Sequence, residues 1–505
     1  MSTHPPTPDS SGARSTSSAS VDELGHVDRG HGFVRVLGNV DALFIGFGAM
    51  IGFGWITLTG GWLESAGTLG ALLAFVVGGI IMGFVGVVYS ELVAAMPHAG
   101  GEHNYLIRGM GPRLSLLGSW AITGGYISVV MFEAVAFPRT IEYLFPNFQQ
   151  IHLWTIADFD VHLTWALAGT IGSLIVMWIN IRGVKVAGLV QTFVVSFLVI
   201  MAFLLLAGGV VGGELSNTQP LFNGGAIGFV AVLGAVPFLF VGFDVIPQSA
   251  EEIKVPPKQI GKLVVMSVVM AVLFYLIIIF STSLALPASQ LASFDLVTAD
   301  ALADLMGHPI WGDIVIAGGL AGIITSWIAF LMGASRLMWA MANSGMIPAW
   351  FGKLHPKYRT PVNALLFIGI LSALAPFAGT AMLGWVVDSG SPMIVFAYGL
   401  VAVAFVILRK KEPAMDRPLR IGGKGGGGVV IGIIAAVLCA ILFVMYIPAL
   451  TPISVTLAWQ SYLMFGLWMI AGVMLMFRLP SGIKPGPDAE HELLAKLDAK
   501  RQRRR

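Results

Sequence analysis

The sequence predicts an all-α integral membrane protein in which one bundle of twelve transmembrane helices makes up nearly the whole chain. Three observations carry that prediction. Of 505 residues, 56% are hydrophobic and only 11% charged, and the mean hydropathy of +0.84 lies far above that of a soluble domain. Apolar runs long enough to cross a bilayer, about 20 residues each, recur from Asp41 to Arg478 with short polar breaks. The basic residues, finally, alternate in a way that only repeated crossing explains.

Gly, Pro and charge punctuation divides the apolar runs into spans at residues 41–63, 67–95, 113–142, 162–181, 184–210, 225–248, 259–286, 312–343, 360–379, 381–408, 427–449 and 455–478. An even number puts both termini on one side. All but Arg139 of the 29 Lys and Arg residues fall in the tails, at the inner helix ends or in alternate loops. Those loops hold Arg108 and Arg113, Arg182 and Lys185, Lys254 to Lys262, Lys353 to Arg359, and Arg409 to Lys424. The opposite loops hold Asp158, Asp160, Glu214, Asp295, Asp300 and Asp304. By the positive-inside rule both termini are expected in the cytoplasm and the bundle in the cytoplasmic (plasma) membrane.

The spans sit in a domain over 36–480, between a disordered cytoplasmic tail (1–35) and a basic cytoplasmic tail (481–505). Residues 1–30 are rich in Ser, Pro, Thr and His and contain no apolar stretch, so they read as a tail and not as a signal peptide. Leu493, Leu494 and Leu497 suit a short surface helix before the run Arg503, Arg504 and Arg505, which suits anionic lipid and not nucleic acid. The single cysteine, Cys439, lies in an apolar run and excludes an intramolecular disulfide or a thiol metal site.

Backbone polar groups cannot go unpaired in lipid, so a span interrupted at mid-membrane must be buried or line a cavity. The first span carries Gly46, Gly48, Gly52 and Gly54 within nine positions, a density that favours an unwound turn. The sixth carries Gly242, Asp244 and Pro247; proline removes an intrahelical hydrogen bond, and the aspartate offers an acceptor to amides so freed. Faults five helices apart, at the head of each half, are the pattern of an inverted-repeat transporter. Close packing of small residues is the bland alternative.

Four blocks resemble the amino acid, polyamine and organocation transporter superfamily, and amino acid permeases within it. They are Met50-Ile51-Gly52-Phe53-Gly54; Tyr89-Ser90-Glu91-Leu92 followed by 96–105 and Gly111-Pro112; Gly242-Phe243-Asp244 with Ala250-Glu251-Glu252 and Pro256; and Ser335-Arg336-Leu337 with 342–348 and Thr360-Pro361-Val362. Phe53 and Trp55 replace the small and aliphatic residues usual in the first block. The resemblance implies a five-plus-five inverted-repeat core with broken first and sixth helices and two peripheral helices, working by alternating access. It implies substrate contacts at Met50, Ile51, Gly52, Phe53 and Gly54 and at Phe238, Phe240, Val241 and Gly242, with Phe238 as an aromatic gate.

Charges inside spans are costly and mark function. Glu133, in the third span, suits three roles: binding a substrate ammonium, carrying a coupling proton, or bonding a neighbouring helix. Asp244 suits the backbone of the sixth-span break, and Glu251 and Glu252 suit ion pairs beside Lys254 and Lys258. Gly322, Thr325 and Ser326 in the eighth span, with carbonyls of Gly48 and Ile51, resemble a sodium site. Counting from Val184-Lys185, the fifth-span position where some relatives carry a lysine falls near Leu198.

No Walker loop, zinc motif or nucleophile elbow is present, so an enzyme is not expected, nor a cofactor beyond Na+ or H+ as coupling ion. The leading expectation is a secondary active carrier for amino acids, by symport or antiport, whose partners are a small-molecule substrate and membrane lipid. An amine or polyamine porter of the same fold is the alternative within carriers; a channel or membrane receptor is the alternative outside them. Oligomeric state is open.

Overall fold

The computed structural model describes residues 20–21, 27–28, 33–291, 294, 296–423, 425–448, 455 and 457–502, with backbone alone at 20–21, 27–28, 184–188 and 288–289. The tail expected over 1–35 and the Arg503, Arg504 and Arg505 run therefore lie largely outside the described residues. So does Lys424.

Among the described residues, eleven helices are long and apolar enough to cross a membrane. The twelfth expected crossing, at 360–379, is the shorter apolar helix Val362–Ala378, tightened at its end into a 3-10 turn where Pro376 and then Gly379 stop it. The first span is Asn39–Met50, a gap, then Gly54–Thr57 and on to a turn at Gly67, where the next span begins inside the continuous segment Thr59–Ala95. The third, fourth and fifth are Pro112–Leu144, Leu163–Arg182 and Val184–Gly212. The sixth is again split, Gly225–Phe240 and Val245–Gln248. The seventh, eighth and tenth are Pro257–Ala285, Ile310–Asn343 and Ala381–Lys411, followed by Gly427–Met445 and Trp459–Arg478.

Burial separates a core from a rim. The apolar windows of the first, third, sixth and eighth spans are 72% or more buried within the protein, whereas those of the last two are 28% and 11% buried. Side chains such as Leu463, Leu467, Ile470 and Met474 face outward, as lipid requires of a peripheral helix. This is the arrangement of a broken-helix core with two peripheral helices, and it makes the chain an integral membrane protein.

The loops add structure of their own. Between the third and fourth spans, His152–Ile156 pairs with Phe159–His162 as an antiparallel hairpin. Helix Val297–Leu305 lies on the same face, and its Thr298 hydroxyl donates to the Trp55 carbonyl at 2.8 Å. On the opposite, basic face, helix Glu102–Met110 connects the second and third spans. Helix Ala489–Gln502 packs beneath it through the buried Leu493.

Candidate functional site

The two breaks expected from glycine and proline are where the helices stop. In the first span the helix ends at Met50; Ile51 leaves helical geometry (φ −109°, ψ 72°), and the helix restarts at Gly54. One freed group finds a partner, the Met50 carbonyl accepting the Tyr275 hydroxyl at 2.8 Å, and the Ile51 and Gly52 carbonyls pack against Gly322 so closely that a Cβ there would meet them at 2.9 and 2.6 Å. In the sixth span the helix ends at Phe240, Val241 is extended, and the Gly242 amide donates to Asp244 Oδ1 at 2.9 Å. Asp244 is thus the acceptor that the broken backbone needs.

The breaks meet each other. A Cβ on Gly242 would fall 2.7 Å from Ala49 Cβ and 2.9 Å from the Met50 amide, and its φ of +134° is one that L residues rarely adopt. Only glycine admits this crossing.

Where they meet lies a cavity of about 20 Å³, room for a single water. Ala49, Met50, Gly52 and Gly54 line it from the first span, Val129, Phe132 and Glu133 from the third, Phe238 and Leu239 from the sixth, Tyr275 from the seventh, and Ser326 and Phe330 from the eighth. Of the residues named from sequence, Met50, Gly52, Gly54, Glu133 and Phe238 converge here. Ile51, Phe53, Phe240, Val241 and Gly242 pack around it: Phe53 against Gly319, Phe240 against the rings of Phe75 and Tyr275. The unusual Phe53 and Trp55 are fully buried, Trp55 edge-on to Phe274 at 5.6 Å, so they act on helix packing outside the cavity. Ala49, Val129, Phe132, Leu239, Tyr275 and Phe330 carried no sequence signal, because an ordinary residue in an apolar span does not announce whether its face is inward.

Glu133 joins the third span to the first break. Its carboxylate faces the Phe53 amide and the Ser326 hydroxyl, and its Oε1 would lie 2.0 Å from a Cβ on Gly52. Its Oε2 and Ser326 Oγ are buried with no hydrogen-bonding partner among the described residues. Two polar atoms with unused capacity, beside the amides of a broken helix and enclosed by aromatic rings, suit a small ligand that is polar at one end and apolar at the other.

The residues of the suggested cation site gather only in part. Thr325 Oγ1 donates to the Gly48 and Gly322 carbonyls at 3.2 and 2.9 Å, and the Ile51 carbonyl is adjacent, whereas Ser326, one position on, turns to the cavity. The fifth-span atoms nearest Gly48 belong to Gln191 and Val195, so the facing positions precede Leu198.

The basic face is closed. Arg336 donates to Glu252 at 3.0 Å with both side chains buried, and burial pushes the Glu252 carboxyl up while Arg336 pulls it down. Glu251 accepts the Ala99 amide at 3.1 Å and lies 3.7 Å from His98. The fold thus places Arg336 beside Glu252 and His98 beside Glu251, and the neighbours in sequence, Lys254 and Lys258, are not needed to account for either acid. Phe33 lies over the Arg336 guanidinium and edge-on to Trp339 at 4.9 Å, while the Val36 and Leu37 amides donate to the Glu252 carbonyl.

Among known proteins, the chain is similar to the branched-chain amino acid permease of Bacillus subtilis (strain 168), with 28% identity over 450 residues, 88% of this chain and 92% of that one. It is 24% identical to the methylthioribose transporter of the same organism over 90% of this chain and 96% of that protein. It is 26% identical to the human cationic amino acid transporter 4 over 76% of this chain and 62% of the relative. The amino acid permease family matches residues 37–474, from the closed basic face through the last span, and the chain belongs to that family.

Proposed function

We propose that this protein is a secondary active transporter, and not an enzyme, that carries amino acids with apolar side chains across the cytoplasmic membrane by alternating access, with both termini in the cytoplasm. The observation that carries the reading is the cavity between the two breaks, where Glu133 Oε2 and Ser326 Oγ, without hydrogen-bonding partners among the described residues, sit beside Val129, Phe132, Phe238, Leu239 and Phe330. The polar end offers amides, carbonyls and a carboxylate to the substrate's charged groups; the aromatic end accepts its side chain. A cavity of about 20 Å³ holds no amino acid, so substrate entry requires the helix halves to move apart, as alternating access demands.

Purified protein screened by thermal shift against leucine, isoleucine, valine, arginine and putrescine tests the assignment. Stabilisation by the three apolar amino acids, with saturable uptake in proteoliposomes, is the expected result. Stabilisation by putrescine alone would replace this reading by an amine porter, for which Glu133 would be the ammonium partner. Flux that never saturates would indicate a channel.

A further inference from the structure

A second polar cluster lies at the basic end of the sixth-span break, apart from the substrate cavity. Glu102 begins the helix between the second and third spans and is fully buried, as is Asp244. Among the described residues, neither Glu102 oxygen accepts a hydrogen bond of ordinary geometry, and Asp244 Oδ2 accepts none either. The two carboxyls face each other. Around them the hydroxyls of Tyr89, Tyr105, Tyr126 and Tyr398 are likewise buried without hydrogen-bonding partners: Tyr89 is directed at Glu102, Tyr126 and Tyr398 at Asp244.

The groups facing the pair from the second, third and tenth spans and from the connecting helix are thus phenols. His103, next in sequence, bonds Ser115 and Ser344, and Ser344 donates to Glu490 of the C-terminal helix at 2.6 Å. Two adjacent buried carboxylates cannot both stay ionised without a cation between them. The helix N-terminus at Glu102 favours its anion, but burial and then the charge of Asp244 outweigh it and push Glu102 up.

We propose that Glu102 and Asp244 form a proton-binding pair, separate from the substrate cavity, that holds one proton between them while the basic face is closed and releases it when that face opens. The proton leaves as the O–H of one carboxylic acid breaks and water at the basic face takes it, so that two carboxylates remain. Geometry ties the pair to the moving part. Gly101 lies so close to Pro247 and Gln248 that a Cβ there would meet both within 3.3 Å, and the Gly100 amide donates to the Gln248 carbonyl. The connecting helix therefore rides on the second half of the sixth span. Opening that seam admits water, which stabilises the second charge, and the repulsion between the two charges then holds the seam open.

Proton binding itself requires no substrate, so an infrared titration of purified protein decides it independently of the transport reading. In a Glu133→Gln background, the carbonyl-stretch band of a buried carboxylic acid is expected to persist near neutral pH and to disappear as pH rises. Either Glu102→Gln or Asp244→Asn moves the remaining acid's titration down by about one pH unit or more, a tenfold loss of proton affinity. A band that is absent, or that in each variant titrates at the same pH as in the Glu133→Gln parent, overturns the pair. In proteoliposomes the coupling role, which does rest on the transport reading, predicts that Glu102→Gln exchanges leucine within about twofold of the unsubstituted protein but no longer accumulates it on an inward proton gradient. Accumulation as before would remove the pair from coupling; leucine moved by neither protein would sink the transport reading while the titration still decides proton binding.

Discussion

Glu133 and Gly52 are so close that a methyl group added to the glycine would fall 2.0 Å from the glutamate's Oε1. A carboxylate from one span thereby occupies the side-chain space of a broken backbone in another, so added bulk at Gly52 requires a shorter side chain at 133.

Gly52→Ala is expected to abolish leucine uptake while the protein still reaches the membrane, because overpacking of this kind costs about 1–3 kcal/mol and falls on the cavity itself. Gly54→Ala meets Leu239 Cδ2 at 2.8 Å and Leu58 Cδ1 at 3.5 Å, both flexible ends of side chains, and is expected to keep measurable uptake. A double variant Gly52→Ala with Glu133→Ala should recover thermal stability relative to Gly52→Ala alone. Wild-type uptake by Gly52→Ala would remove the break from the site.

Arg336→Met leaves Glu252 as an uncompensated buried acid and is expected to destabilise the closed basic face by about 3–5 kcal/mol. The double variant Arg336→Met with Glu252→Met should be nearer to wild type. The readout is labelling of a cysteine introduced at the basic end of the eighth span, against a low background because the native Cys439 is buried. Equal labelling of the single variant and the unsubstituted protein would deny the ion pair a gating role.

Replacing external sodium by choline is expected to leave uptake unchanged. The hydroxyl of Thr325 is directed at the Gly48 and Gly322 carbonyls, Val195 presents a methyl group to Gly48, and Ser326 is directed toward Glu133. A hard cation is held by several convergent oxygens, usually with a carboxylate among them. A drop in uptake with choline would restore the sodium site.

Thermal stability is expected to fall as pH rises above the ordinary glutamate range, and to fall less steeply in Glu102→Gln. In the folded protein, burial and Asp244 push the Glu102 carboxyl well above its ordinary value of 4.5. Between that value and the raised one, the native state keeps a proton that the unfolded chain has released, so each step up in pH favours unfolding. Below the ordinary value both states are protonated and the term is constant. Parallel slopes of melting temperature against pH in the two proteins would contradict it.

The membrane class, the crossings, the positions of both breaks and the family blocks were legible along the chain, because each depends on local composition or on spacing along one helix. Gly242, Asp244 and Pro247 could be identified as a fault before any fold was known, since a span cannot lose a hydrogen bond in lipid unnoticed. The partner of Glu252 could not: the sequence neighbours Lys254 and Lys258 were the natural candidates, and the buried partner is Arg336, 84 positions on.

The same division holds for the molecule as a whole. Composition and periodicity determined that this protein is a membrane bundle interrupted in its first and sixth spans, because hydrophobic length and backbone pairing are properties of single segments. Only the tertiary structure decided which side chains share a space: that Glu133 reaches Gly52, that Val129, Tyr275 and Phe330 enclose the cavity with it, and that Glu102 meets Asp244. Contacts between spans depend on the rotation and depth of each helix against its neighbours, and that is fixed by packing among many residues at once.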